Sequence, residues 1–334
     1  MPRIARRDLA SLALAVLALA PSARAADQPP LVLEAAIPLE NTSGRIDHMA
    51  FEPRRGRLLV AELGNGTVDV VDLARRAVAA RIGALKEPQG IAYAQDADLI
   101  AVASGGDGTV RFYRGEDLAP AGSLALGDDA DNVRLDPRTG NLVVGYGRGA
   151  LALIDPVRRA KLAEFRLPAH PESFQLDPAR AVAFVNVPDT RQVVVVDLTG
   201  TRPPLAWRVP GPLGNFSMAY DAQSQELAIV TRSPPKLIVL DAGTGQVRTR
   251  LPACSDADDA FFDLRRQRLY VSCGEGVVAT WQRNGALYRP LPPVRTGSGA
   301  RTSLFAAGPD RLFVAKRAGI LGSSAAILVF RPGD

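Results

Sequence analysis

A repeat of 41 to 44 residues occurs seven times along this chain of 334 residues and constrains its fold more than any other feature. Each copy opens with a short apolar stretch that ends in an acid, or in alanine, at one shared position. The shared positions are Glu52, Ala94, Asp136, Asp177, Asp221, Asp263 and Ala306. A period of this size, filled with strand patterns, is what one blade of a β-propeller requires.

The strands within each repeat can be read from the sequence. In the first repeat they fall at 48–52, 57–62, 67–73 and 77–82, separated by turn-rich segments. Alternating and short continuous apolar runs dominate, and the 3.6-residue period of a helix is absent after residue 25. The sequence therefore predicts an all-β chain that forms a seven-bladed β-propeller with four-stranded antiparallel blades.

Acids also recur at the ends of third strands, where an aspartate can accept hydrogen bonds from the backbone of the following turn. We expect this capping role for Asp72, Asp155, Asp197 and Asp241.

The seventh repeat is one strand short, because only three strand patterns follow residue 300. An apolar segment at 31–40 precedes the first repeat and belongs to no other one. Pairing of 31–40 with 325–331 would complete the last blade and remove two open sheet edges. We expect the N-terminal strand to close the ring in this way.

The first 25 residues have the pattern of a secretory signal peptide. Arg3, Arg6 and Arg7 precede an apolar run at 9–20, and Ala23-Arg24-Ala25 fits a cleavage site. The run is too short to span a bilayer, which takes about 20 residues. We therefore expect a leader at 1–25, a single propeller domain at 26–334, and a periplasmic or secreted protein, with the export route left open.

Net charge and residue composition exclude some classes of binding partner. Of the formal charge of +5, the first 25 residues carry +3, which leaves about +2 on the mature chain. No dense Lys/Arg stripe with interleaved aromatic residues occurs, so nucleic acid is not an expected partner. No further apolar run is long enough for a membrane span, and we expect a monomer.

Cys254 and Cys273 are the only cysteines, and in an exported protein they are expected to form a disulfide, with two free buried thiols as the alternative.

Two parts of the chain resemble a known family. The first joins residues 44–50, GRIDHMA, with the strands 57–61 and 65–72; the second is 256–259, DADD, with 269–274, LYVSCG. These patterns resemble the YVTN-repeat, YncE-like β-propellers, and the resemblance extends over essentially the whole mature chain. It implies an exported seven-bladed propeller and does not imply a particular reaction. Gly-His and Trp-Asp marks of WD repeats and the repeated double glycines of kelch repeats are absent.

Candidate site residues follow from aligning the blades. Because first strands line the channel of a propeller, the residues just before each first strand, about five to seven positions ahead of the shared position, are expected at one mouth of that channel. Both histidines of the chain and many carboxylates fall there. The predicted ligand-binding residues are Arg45, Asp47, His48, Gln89, Asp131, Asn132, His170, Glu172, Asn215, Asp258, Asp259 and Arg301.

Two kinds of chemistry suit this ring. Clustered oxygen ligands favour a hard divalent cation such as calcium, whereas a histidine among carboxylates can act as a base or hold a transition metal. The candidate metal ligands are Asp47, His48, Asp131, His170 and Asp258. The alternative is that these side chains only cap strand ends and bind water.

Three functions remain open at this point. The first is a binding or interaction protein whose ligand, a small molecule, a peptide or an envelope protein, occupies the channel mouth. The second is a propeller enzyme: a metal- or quinone-dependent oxidoreductase, or a histidine-based lyase or hydrolase. The third is a structural envelope protein. No Ser-His-Asp pattern and no phosphate-binding glycine loop occurs, so no catalytic residue is assigned.

Overall fold

The computed structural model describes residues 29–209, 211, 213–319 and 324–334. The predicted leader at 1–25 lies outside these residues. Within them the chain forms seven four-stranded antiparallel sheets, as the repeat predicted. One turn of 3-10 helix, Pro188–Thr190, is the one helical segment in the described part of the chain, and no helix there is long and apolar enough to cross a membrane.

The strands of each blade follow one another along the sequence. Blade 1 contains β2 (Met49–Glu52), β3 (Arg57–Glu62), β4 (Thr67–Asp72) and β5 (Ala77–Ile82). Blade 2 contains β6 (Pro88–Ala94), β7 (Leu99–Ser104), β8 (Thr109–Arg114) and β9 (Pro120–Ala125). Blade 3 contains β10 (Ala130–Leu135), β11 (Leu142–Tyr146), β12 (Ala150–Asp155) and β13 (Ala160–Arg166). Blade 4 contains β14 (Phe174–Asp177), β15 (Val182–Val187), β16 (Gln192–Asp197) and β17 (Leu205–Arg208).

The remaining three blades complete the circle. Blade 5 contains β18 (Leu213–Asp221), β19 (Glu226–Ser233), β20 (Pro235–Asp241) and β21 (Val247–Pro252). Blade 6 contains β22 (Ala257–Asp263), β23 (Arg268–Cys273), β24 (Val277–Asn284) and β25 (Leu287–Arg295). Blade 7 contains β26 (Ser303–Ala306), β27 (Arg311–Lys316), β28 (Ala325–Pro332) and, from the other end of the chain, β1 (Leu31–Leu39).

The first strands of the seven blades form the inner wall. Each one contacts the first strand of the next blade, and β26 contacts β2, so the ring is continuous. Second strands are buried on both faces, as in β7, because a neighbouring blade covers each side. The outermost strands, such as β13, alternate between half-buried and exposed residues. This layering explains why the sequences of second strands are continuous apolar runs, whereas those of outer strands alternate between apolar and polar residues.

Turn capping by the repeated acids is confirmed. The backbone N–H of Arg75 donates to Asp72 Oδ1 at 2.9 Å, and that of Val157 donates to Asp155 Oδ1 at 2.9 Å. Asp197 and Asp241 accept equivalent bonds from the turns that follow them. The acids at the shared position of the first strands do the same, as Glu52 shows by accepting from the Arg55 N–H at 3.0 Å. These acids therefore have a structural role.

The predicted closure of the ring is also confirmed. Strand β1 pairs antiparallel with β28, from Leu31 opposite Pro332 to Leu39 opposite Ala325. Leu31, Ile37 and Leu39 are each only 1% exposed. At a bulge in β1, Glu34 accepts two hydrogen bonds from the Arg311 guanidinium, at 2.7 and 3.0 Å. The N-terminal strand is thus both packed and ion-paired in blade 7.

Removing this strand should open the ring. We expect deletion of residues 27–40 to lower the melting temperature strongly and to produce oligomers, because β28 would become an exposed sheet edge.

A finer test is Ile37→Ala, which should cost about 2–5 kcal/mol of unfolding free energy by leaving a cavity. The control Leu33→Ala, on the exposed face of the same strand, should change stability by less than about 0.5 kcal/mol. Equal effects of the two substitutions, measured by denaturant unfolding, would contradict this role.

The predicted disulfide joins Cys254 and Cys273. Cys254 lies just before β22 and Cys273 ends β23, which places their Cα atoms 6.0 Å apart. In the same turn region the Gly274 N–H donates to the Asp256 carbonyl at 2.9 Å. The cross-link therefore fixes the segment that leads into Asp258 and Asp259.

Loss of the disulfide should destabilise the protein measurably. A loop of about 20 residues closed by a disulfide contributes about 3 kcal/mol in the chain-entropy description. We expect the Cys254→Ala/Cys273→Ala variant to lose stability of this order in denaturant unfolding. Thiol titration of the denatured, unreduced wild type should find no free thiol, and detection of two thiols would contradict the cross-link.

Candidate functional site

The first strands begin irregularly, and these irregularities carry the polar residues. The pairing of β10 with β11 shifts register between Ala130 and Val133, around Asp131 and Asn132. Similar shifts surround Gln89 in β6, Phe216 in β18 and Asp258 in β22. Bulges of this kind redirect side chains and are frequent beside functional sites. In blades 1 and 4 the equivalent residues, Asp47 and Glu172, lie just before β2 and β14.

These segments surround one small cavity, which we call the mouth cavity. It has a volume of about 30 Å³, enough for one water molecule or an ion. The residues that line it are Arg45, Asp47, His48, Asp131, Asn132, Glu172, Ser173, Phe216, Asp258 and Asp259. Five of the seven blades, 1, 3, 4, 5 and 6, therefore contribute residues that precede the shared position to a common space.

Eight of the twelve predicted residues line the mouth cavity, and four do not. Gln89 lies beside it, donating to Asp129 Oδ1 at 3.1 Å. His170 also lies beside it, with Nε2 3.6 Å from Asp131 Oδ2. Arg301 approaches from blade 7, with Nε 3.1 Å from Asp258 Oδ2. Asn215 is buried elsewhere and donates to Asn186 Oδ1 and to the Gln192 carbonyl, each at 2.9 Å.

Sequence reasoning missed Arg232 and Arg134. Arg232 belongs to the second strand of blade 5, where it donates to Asp258 Oδ1 at 2.7 Å and lies 3.7 Å from the centre of the Phe216 ring. An alignment of first strands cannot find a residue on a second strand. Arg134 follows Asn132 by two residues on β10, where burial lowers its pKa although the charges of Asp259 and Asp131 act to raise it.

His48 lies at the centre of the polar contacts. Its Nε2 is 2.8 Å from Asn132 Nδ2, and its Nδ1 is 3.8 Å from Asp47 Oδ2. Arg45 donates to the other oxygen of Asp47, Oδ1, at 2.8 Å. Asp47, His48 and Asp131 each offer one metal-ligating atom within 4.8 Å of the others.

Four polar atoms in this group are buried without a hydrogen-bond partner among the described residues. They are Asp47 Oδ2, His48 Nδ1, Asp131 Oδ1 and Asn132 Oδ1. Asp47 and Asn132 are each 3% exposed, and Asp131 is 7% exposed. Since buried polar groups are nearly always hydrogen-bonded, four such atoms around one cavity call for a bound species.

The cavity also shifts the pKa values of its acids and histidines. Burial lowers the pKa of His48, but Asp47 and Asp131 outweigh it and raise that pKa to about 9. Contact with Asp131 raises the pKa of His170 to about 9. Burial, with the charge of Asp131, raises the pKa of Glu172 to about 7, and burial, with the charge of Asp258, raises that of Asp259 to about 7. Burial is the largest cause of the raised pKa values of Glu172 and Asp259, so the cavity disfavours the charged forms of these two carboxyls.

Structural comparison supports the fold. A chain in the crystal structure of the mitotic checkpoint complex has a TM-score of 0.77 at 15% identity, covering 98% of this chain and 99% of that chain. A chain of Kuenenia stuttgartiensis hydrazine synthase has a TM-score of 0.70 at 14% identity, covering 87% of this chain and 98% of that chain. Comparisons with protein-family models and with curated proteins find no match. The chain is a seven-bladed β-propeller, and identities this low show the fold alone.

Stability should fall as the pH rises from 5 to 9. A group whose pKa is higher in the folded state stabilises the fold while protonated and loses that contribution as the pH passes its folded pKa. Glu172 rises from 4.5 and Asp259 from 3.8, both to about 7, and the two histidines rise from 6.5 to about 9. All four therefore act in the same direction in metal-free protein. The melting temperature should decline through this range, and Glu172→Gln should make the decline shallower below pH 7; a constant or rising melting temperature would contradict this.

Proposed function

We propose that this protein is an exported, YncE-like propeller that acts as a binding protein and holds a divalent cation in the mouth cavity, together with any small molecule or peptide that it recognises. The observation that carries the proposal is the group of four buried, unpartnered polar atoms on Asp47, His48, Asp131 and Asn132. One potential ligand atom from each of Asp47, His48 and Asp131 lies within 4.8 Å of the other two.

The charges support a cation. Five carboxylates line the cavity, on Asp47, Asp131, Glu172, Asp258 and Asp259, against the side chains of Arg45 and His48. Arg232 and Arg301 pair with Asp258 from outside the cavity. In the described part of the chain, Asp131, Glu172 and Asp259 form no ion pair with an arginine or lysine. A divalent cation would favour the charged forms of these buried carboxylates, which burial otherwise disfavours.

Export is supported by two features. Basic residues, an apolar run and a small-residue cleavage site stand in the order of a secretory leader within the first 25 residues. The Cys254–Cys273 disulfide is of the kind that persists in oxidising compartments. The blade patterns shared with the YVTN-repeat propellers agree with such a location.

Titration calorimetry tests the proposal. The mature chain, stripped with EDTA, is titrated separately with MnCl₂, ZnCl₂ and CaCl₂, and we expect at least one of them to bind with a stoichiometry near one. The Asp47→Asn/Asp131→Asn/Asp258→Asn variant should lose this binding because it removes three cavity charges while preserving side-chain size. Asp128→Asn, which changes an exposed acid outside the cavity, should bind like the wild type. Absence of binding by all three ions, or unchanged binding by the triple variant, would overturn the proposal.

A further inference from the structure

We propose that Asp47 Oδ2, His48 Nδ1 and Asp131 Oδ1 form a three-ligand site for a first-row transition-metal ion such as Zn²⁺ or Co²⁺, and that Asn132 holds His48 in the tautomer that ligation requires. This inference rests on the proposed cation binding at the mouth cavity and specifies which ion binds there and how. It also assigns a positioning role to Asn132.

The identity of the donor atoms selects the class of metal. Calcium takes six to eight oxygen ligands, and magnesium keeps several waters in an octahedral oxygen shell. An imidazole nitrogen with two carboxylates is instead a donor set that suits zinc, iron, cobalt or nickel. Each of the three residues offers one ligand atom within 4.8 Å of those of the other two, and Asp47 Oδ2 and His48 Nδ1 are 3.8 Å apart. Two donors bound to one zinc ion at about 2.0–2.2 Å are separated by roughly this distance.

His48 Nδ1 is the ring nitrogen available for ligation. The other nitrogen, Nε2, is engaged by the Asn132 side chain at 2.8 Å, whereas Nδ1 is buried and has no hydrogen-bond partner among the described residues. A nitrogen can bind a metal only through its lone pair, so Nδ1 must be unprotonated in the metal complex. The proton of the neutral ring must then reside on Nε2.

Asn132 can satisfy this requirement through its amide. With Nδ2 facing His48, the amide donates to Nε2 and the ring proton lies on Nδ1, directed at Asp47. With the amide rotated by about 180°, Oδ1 accepts a hydrogen bond from Nε2–H and the Nδ1 lone pair is free. The rotated form also gives Asn132 Oδ1 a partner, which it otherwise lacks. A single amide rotation therefore prepares the metal ligand, the role that outer-shell groups have toward ligating histidines.

The packing of blade 2 brings Asn132 within reach. His48 and Asn132 belong to blades 1 and 3, and the equivalent residue of the intervening blade is Gly90. A Cβ at Gly90 would lie 2.8 Å from the Val133 backbone nitrogen, so the inner strands of blades 2 and 3 make close backbone contact there. Gly90 therefore permits this close approach and adds no side chain between His48 and Asn132.

The site leaves room for an exogenous ligand. Three protein ligands leave at least one position open on a four-coordinate ion, as in metal sites that bind a water or substrate. The cavity volume of about 30 Å³ accommodates one such small donor. The Glu172 carboxyl lines the same cavity, where it can accept a hydrogen bond from that donor.

Cobalt is the probe that reports both affinity and geometry. EDTA-stripped mature protein is titrated with CoCl₂ while visible absorption is recorded, and ZnCl₂ is then added as a competitor. We expect one Co²⁺ per chain with a ligand-field band that Zn²⁺ removes. His48→Ala should abolish the band. Asn132→Ala should weaken Co²⁺ binding about 10–100-fold, the effect typical of losing an outer-shell partner.

A matched substitution separates positioning from packing. Asn132→Asp keeps the size of the side chain and always presents an oxygen acceptor to Nε2–H, so it should retain wild-type affinity for Co²⁺ or exceed it. Asp128→Asn, which changes an exposed acid outside the cavity, should leave affinity unchanged. If His48→Ala folds poorly, the comparison of Asn132→Ala with Asn132→Asp decides the question.

The outcomes distinguish this inference from the proposal on which it rests. If CaCl₂ binds equally to the wild type and His48→Ala while Co²⁺ does not bind, the mouth is a cation site but the transition-metal assignment is wrong. If Co²⁺ binds and Asn132→Ala has wild-type affinity, the positioning role of Asn132 is wrong. If no divalent ion binds, both fail.

Discussion

Closure of the ring by β1 against β28 is the interaction on which the site depends. His48 and Asn132 are 84 residues apart in sequence and meet because seven inner strands stand in a continuous circle. Each inner strand belongs to a blade, and a blade is stable only when its two neighbouring blades cover its two faces. A break between blades 7 and 1 would expose sheet edges and uncover the core that Ile37 shares with Leu58 and Phe313. The segment around Asp47 lies directly beside this junction.

The buried carboxylates of the mouth cavity lower the stability that closure of the ring provides. Carboxylates from blades 1, 3, 4 and 6 converge within one small space, and the arginines that approach it pair mainly with Asp47, Asp256 and Asp258. Burial, followed by the charge of Asp131, raises the pKa of Glu172 to about 7, so a negative charge at this position is disfavoured. Such a cost is maintained only where the surrounding fold is stable enough to bear it, as is common at functional sites. A bound cation would convert this repulsion into ligation.

Sequence alone predicted the architecture because the repeat reports backbone geometry. The repeat period corresponds to the length of a blade, the turn acids to the capping of turns, and the missing seventh-blade strand to closure of the ring. The pairing of Leu31–Leu39 with Ala325–Pro332 follows from counting strands. The approximate position of the mouth followed from the same alignment. Which side chains meet did not follow, because a bulge of one residue reverses the face that a side chain occupies. Asn215 and Asn132 were both predicted at the mouth, and only Asn132 lines the cavity.

Side-chain contacts between different blades could not be predicted from the sequence either. Arg232 reaches Asp258 from a second strand, and its distance from the first-strand motif carries no periodic signal. The two nitrogens of His48 differ only in their surroundings, which no spacing rule encodes. Interactions of this kind depend on rotamers selected by packing, so they emerge only when the three-dimensional arrangement of neighbouring blades is known.

Internal comparison of the blades separates structural residues from those of the site. Acids recur at the shared first-strand position in five of the seven blades because every blade must make the same turn. Four residues earlier in each blade, the chain instead has His48, Gly90, Asn132, Ser173, Ser217, Asp259 and Thr302. A purely structural demand on equivalent backbone positions would select similar residues, as it does for the turn acids. The inner ring departs from that symmetry where His48 and Asn132 meet, as the proposed asymmetric site requires, and the shared demand of the turns does not account for this composition.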